Sequence, residues 1–265
     1  MIGIALAYFL FPAFNSDANP DAWLNVYWLL AGISLVSFTF LFFTKFENQT
    51  DIPGVDLVDD FKEMFKLFAK LLTIVFVISA FLFVMIEQGI MSWLPTFNSK
   101  VLHLPENISI MMASILAISL AIGRLLAGVI TKRVNWIWVL SFCIVAAILI
   151  VIFVLPKTVG LEVKEINSLG DIPLIGYAFP LVGLFIAPIY PLLNSVVLSA
   201  LSKKLHSSMT GLIVVFSALG GTLGSRVIGY LFKNEGPENA FYYTLIPMSL
   251  LLVSFFILKK LTAKQ

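Results

Sequence analysis

Seven apolar runs, separated by short polar stretches, account for most of the chain: Trp23–Phe43, Leu71–Phe97, Ile108–Ile130, Trp136–Leu155, Ile172–Leu201, Met209–Phe232 and Ala240–Leu258. Each is close to or above the roughly 20 residues that carry a helix across a bilayer. An eighth run, Met1–Phe14, would span only about 21 Å at the helical rise and reads as the tail of a helix. No segment shows the ten-residue alternation of a membrane barrel, and backbone inside lipid must satisfy its own polar groups, so the runs predict helices. The exception is Glu47–Lys70. There Glu47–Asp56 is polar and broken at Pro53–Gly54, while Leu57, Phe61, Met64, Phe65 and Phe68 repeat at helical spacing. That pattern predicts an amphipathic helix lying along a membrane face. A plain solvated lead-in to the next span fits the spacing equally.

Composition agrees with the runs. Hydrophobic residues make up 60% of the chain and charged residues 12%, with mean hydropathy +1.00. Soluble domains are nearer half apolar and a quarter charged. The 24 phenylalanines are more apolar surface than one water-facing core would bury. A net charge of +2 with no basic stripe gives no reason to expect nucleic acid as a partner. The single cysteine, Cys143, excludes disulfides and cysteine metal sites within one chain. His103 and His206 fall in opposite loops, so no metal centre or catalytic dyad is expected. No phosphate-cradling glycine loop is present and no cofactor is implied; neither an enzyme nor an ATP-driven pump is expected.

Basic residues predict orientation. With 44–70 placed in the cytoplasm, eleven lysines and arginines fall inside against four (Lys100, Lys157, Lys164 and Lys233) outside. The C-terminus is then cytoplasmic, and the expected location is the plasma (inner) membrane.

The six runs after the linker divide into two triplets whose first members both carry helix breakers. Leu71–Phe97 contains Gly89 and Pro95; YAFPLVGLFIAPIYPLLNS contains Pro180, Gly183, Pro188 and Pro191. Matched interruptions in two repeats point to a transport site at their interface, although membrane helices also tolerate proline kinks without function. Gly220 and Gly224 form a G-x-x-x-G face, with Gly221 and Gly229 nearby, and Gly123 and Gly128 suggest a second close contact.

Glu87 is the one acid of fifteen that lies inside an apolar run. A carboxylate there costs a few kcal/mol or more unless it faces a partner or a wet path, so it is the first candidate for coupling or gating. Counted from the cytoplasmic starts of their spans, Glu87 and Arg226 share nearly the same depth, about 24 Å. This predicts that they interact. Glu87 is then either a proton carrier or the acid of a structural bridge. Arg124 is expected to snorkel or cap near Lys132 and Arg133. Gln88, Trp93, Tyr190 and Asn194 supply amides and aromatic faces suited to a hydroxylated solute. Trp93 as an interfacial anchor and Asn194 as an interhelical cross-link are the competing structural readings.

The stretch AISLAIGRLLAGVITKR resembles the end of the eighth helix in the major facilitator superfamily. Its pair Gly123–Arg124 precedes Gly128 and a basic turn, Lys132–Arg133. The usual acid of that turn is absent, with Thr131 near its place. IEQGIMSWLPTF and GLFIAPIYPLLNS are similar to helices seven and ten of the fucose permease branch of sugar–proton symporters.

The resemblance implies an all-α membrane protein. Residues 71–265 would form the six-helix C-terminal half of a major facilitator fold, built from two inverted three-helix repeats. Residues 44–70 would be the central cytoplasmic linker, and 1–43 a partial helix five and a full helix six. It further implies alternating access, a small polar solute such as a sugar, a coupling proton, the lipid bilayer as solvent and a missing N-terminal half as partner. The polypeptide alone is therefore not expected to concentrate solute. A non-transporting scaffold or solute sensor on the same fold is the competing function.

Overall fold

The structure, a computed structural model, describes residues 21–45, 57–160, 169–202 and 205–263, together with Gly3, Ala7, Tyr8, Leu10 and Phe14. The expected half-helix Met1–Phe14 lies mostly outside the described residues, as do Lys164, Lys203, Lys204 and Lys264.

Every long apolar run is helical: α1 (Asn25–Phe43), α3 (Leu71–Lys100), α4 (Glu106–Ile130), α5 (Trp136–Thr158), α9 (His206–Asn234) and α11 (Leu245–Thr262), with α2 (Leu57–Phe68) preceding α3. The run at Ile172–Leu201 is divided into α6 (Leu174–Ala178), α7 (Val182–Ile186) and α8 (Ile189–Ser199). A four-residue helix, α10 (Pro237–Ala240), and a 3-10 turn lead into α11. Among the described residues, 7 helical segments are long and apolar enough to cross a membrane, with α6–α8 counted together and α10 to α11 counted together.

The breaks have a direct cause. Proline lacks an N–H and its ring clashes with the carbonyl four residues back. The chain therefore passes through turns around Pro180 and at Ala187–Pro188, while Pro191 is accommodated in the first turn of α8. The expected matching break in α3 is not found. That helix runs unbroken through Gly89 and Pro95 for 30 residues.

The two triplets pack reciprocally. α3 lies against α9, α4 against α7, and α5 against α11, so each helix of one triplet meets a counterpart in the other. Glycines set the two closest approaches. A Cβ on Gly220 would strike the carbonyl of Phe81, and one on Gly224 the carbonyl of Met85, along the α3–α9 seam. A Cβ on Gly123 would strike the carbonyl of Leu184 on α7. Gly128, expected to behave alike, faces open space.

At the end away from Lys132, Arg133 and Lys259, aromatic rings interlock. Phe241 lies 5.0 Å from Phe179, 5.2 Å from Phe97 and 5.4 Å from Phe232 between centroids. This cluster ties α3, α9 and the turn before α11 into one core. At the basic end, α2 docks on α9: Phe68 stacks on Phe216 at 5.6 Å, and Leu67 is buried. Phe65, on the apolar face expected to lie along the membrane, is exposed. α1 buries none of its described residues, and its apolar side chains are largely exposed.

Candidate functional site

Glu87 is buried in α3, and its Oε1 accepts a hydrogen bond from Arg124 Nη2 at 3.0 Å. The partner is therefore Arg124 rather than Arg226. The hairpin between α3 and α4 explains how they meet. Asn98 Nδ2 donates to Ser109 O at 3.1 Å and fixes the register of these antiparallel helices. From that contact Glu87 lies about three turns down α3 and Arg124 about four turns down α4, one turn apart and within reach of an arginine.

Arg226 does share the depth of Glu87, since α3 and α9 run parallel with Met85 at Gly224 and Gly89 at Ile228. Its azimuth is wrong. Two residues beyond Gly224 is about 200° around the helix, so Arg226 leaves the α3 seam and is exposed. The expected Glu87–Arg226 interaction and the expected capping role of Arg124 are both corrected by this geometry.

The polar candidates divide into bonded and unbonded groups. Trp93 donates from Nε1 to Ser225 O at 2.7 Å, its ring closes over Gly229, and it tilts against Phe232 at 5.2 Å. Those contacts fix it as part of the α3–α9 seam. Tyr190 stacks on Phe83 at 5.5 Å, and its hydroxyl is 3.1 Å from Ser217 Oγ. Phe83 is one turn from Glu87 on α3, which brings α8 close to the ion pair. Gln88 is half-buried beside Gly221 and makes no side-chain hydrogen bond among the described residues. Asn194 Oδ1 and Arg124 Nε are both buried without a partner.

The last two atoms are informative. An orphaned buried polar atom costs about 1–3 kcal/mol, and native structures rarely leave one without a ligand, water or ion to meet it. One is a donor and one an acceptor, the pair of functions a hydroxyl engages. Lys132 and Arg133, the basic turn of the loop motif, are exposed beyond α4.

Ser217 and Phe83 belong to this site and were not singled out from sequence. Ser217 lies one turn before Gly221, on the part of α9 that turns toward α3 and α8, and this offset was the available signal. Two large apolar grooves lie elsewhere, one between α3, α9 and α11 and one between α4, α5 and α7.

Six spans in reciprocal triplets, one of them broken by prolines, with a carboxylate and an arginine paired between two of the helices, define the class as a helical membrane protein. The Major Facilitator Superfamily matches residues 1–225, and the chain belongs to that family, whose members are transporters rather than enzymes. Among solved structures the chain is similar to FucP, a Major Facilitator Superfamily transporter in the outward conformation. The match has 15% identity and a TM-score of 0.65, covering 89% of this chain and 55% of that one. The chain thus spans about half the length of FucP, and at this identity the likeness shows the fold alone. No curated protein matches the chain.

Proposed function

We propose that the chain is part of a secondary active transporter that moves a small polar solute, such as a sugar, with protons by alternating access. The observation that carries this reading is the Glu87–Arg124 pair, with a buried, unpaired Arg124 Nε beside it. Glu87 is the group whose charge changes. Protonating it releases Arg124, and Arg124 is then free to bind another acceptor.

Gln88, Tyr190 and Asn194 supply hydroxyl-binding groups within about two helical turns of that pair. Trp93 is left out of solute contact, because its N–H and its ring are already engaged. Arg226 carries no part of the coupling in this reading. The resemblance to the fucose permease branch supports a sugar; fold alone does not choose a substrate. The basic end is taken as cytoplasmic and the membrane as the plasma membrane, from the lysine and arginine bias.

The test is uptake of a panel of labelled monosaccharides and polyols by cells co-expressing the protein with an N-terminal half of the family's fold, with and without an imposed pH gradient. Gradient-dependent accumulation of at least one solute is expected, with loss on Asn194→Ala. No gradient-dependent accumulation of any solute would favour the scaffold or sensor reading.

A further inference from the structure

The groove between α4, α5 and α7 has a volume of about 480 Å³, with Ala127, Ile130, Val134, Trp138, Phe142 and Phe185 in its walls. Trp138 is 67% exposed and Phe142 66%, so the groove opens outward from the bundle. In a bilayer that side meets acyl chains.

One end of the groove is strongly basic. Ile130 and Val134 bracket Lys132 and Arg133, both exposed at the helix boundary. From α11, Lys259 holds Nζ 5.9 Å from the centroid of the Trp138 ring, and Lys260 follows it. Among the described residues none of these four cations pairs with a carboxylate. Trp138 therefore links the two features, being at once a groove wall and the ring under a cation.

We propose that this groove is a binding site for an anionic phospholipid. Its phosphate sits among Lys132, Arg133 and Lys259, and one acyl chain lies along Trp138 and Phe142. The groove accepts any acyl chain, so discrimination comes from the cations, which favour a headgroup with net negative charge over a zwitterionic one. The site is independent of solute transport and stands or falls separately from it.

The test uses the intact chain in mixed micelles with dibrominated phosphatidylglycerol or dibrominated phosphatidylcholine. The Trp138 share of the fluorescence is isolated by comparison with Trp138→Phe. Half-quenching of that share is expected at a several-fold lower mole fraction of phosphatidylglycerol. The preference should fall by roughly threefold to fivefold for each of Lys132→Gln, Arg133→Gln and Lys259→Gln. Lys100→Gln with Lys233→Gln, at the opposite end, should leave it unchanged, and millimolar inorganic phosphate should not displace the lipid.

Equal quenching by both lipids would mean ordinary annular lipid and overturn the proposal. So would an equal loss with the opposite-end lysines, which would signal general surface charge, or displacement by phosphate, which would signal a simple anion site. Retention of phosphatidylglycerol over phosphatidylcholine by native mass spectrometry provides a second readout that does not use Trp138 and must show the same order.

Discussion

Arg124 and Glu87 join α4 to α3 through an Nη2–Oε1 contact of 3.0 Å, although their positions along the two helices differ by about one turn. The arginine bridges that offset by reaching back along α4 toward the hairpin. Its Nη2 is thereby used while its Nε stays buried and unpaired.

Removing one member should therefore cost more than removing both. Arg124→Ala leaves the buried Glu87 without its cation. The guanidinium is about a third exposed, so the penalty should be about 1–3 kcal/mol, below that of a fully buried pair. The double variant Arg124→Ala with Glu87→Gln should recover much of that loss in thermal unfolding of the detergent-solubilised protein. A double variant no more stable than Arg124→Ala would mean that the pair is not coupled.

Arg226→Gln should leave thermal stability and any Glu87-dependent activity unchanged, because Arg226 points away from the α3 seam. The sequence specified depth well and azimuth poorly. All the long runs became helices within a few residues of their expected ends, because apolar length alone sets a span. Matching Glu87 with Arg226 used only the axial coordinate. The angular coordinate was also present, since Gly220 and Gly224 mark the α3-facing side of α9 and place Arg226 opposite. Arg124 required the register of the α3–α4 hairpin, which rests on the Asn98–Ser109 contact and has no signature in the apolar pattern. The kink expected at Pro95 was absent for a related reason: a helix can absorb one proline when its neighbours hold it straight, whereas the span at 172–201 carries two interior prolines, Pro180 and Pro188, and turns at both.

Glycines that looked equivalent in sequence should separate by measurement. Gly224→Ala places a Cβ against the Met85 carbonyl, so α3 and α9 must move apart, at about 1–3 kcal/mol. Gly128→Ala meets nothing within 4 Å and replaces a poor helix former, so stability should hold or rise by up to about 1 kcal/mol. Thermal unfolding of the two variants side by side decides the point.

Trp93 and Asn194 should behave in opposite ways. Trp93→Phe removes the bond to Ser225 O and should cost about 1 kcal/mol of stability while leaving solute affinity unchanged. Asn194→Ala removes a buried, unsatisfied oxygen and should leave stability unchanged or slightly higher. The same change should raise the KM for solute several-fold. Stability curves and uptake kinetics on both variants check the assignment, and a destabilised Asn194→Ala would make that residue a cross-link.

The central claim is that the charge on Glu87 couples proton movement to solute movement. The most direct measurement is Glu87→Gln, co-expressed with an N-terminal half of the family's fold and assayed in two modes, solute counterflow without a gradient and accumulation driven by an imposed pH gradient. The account predicts that counterflow persists while gradient-driven accumulation is lost. Full accumulation with unaltered pH dependence in Glu87→Gln would contradict it.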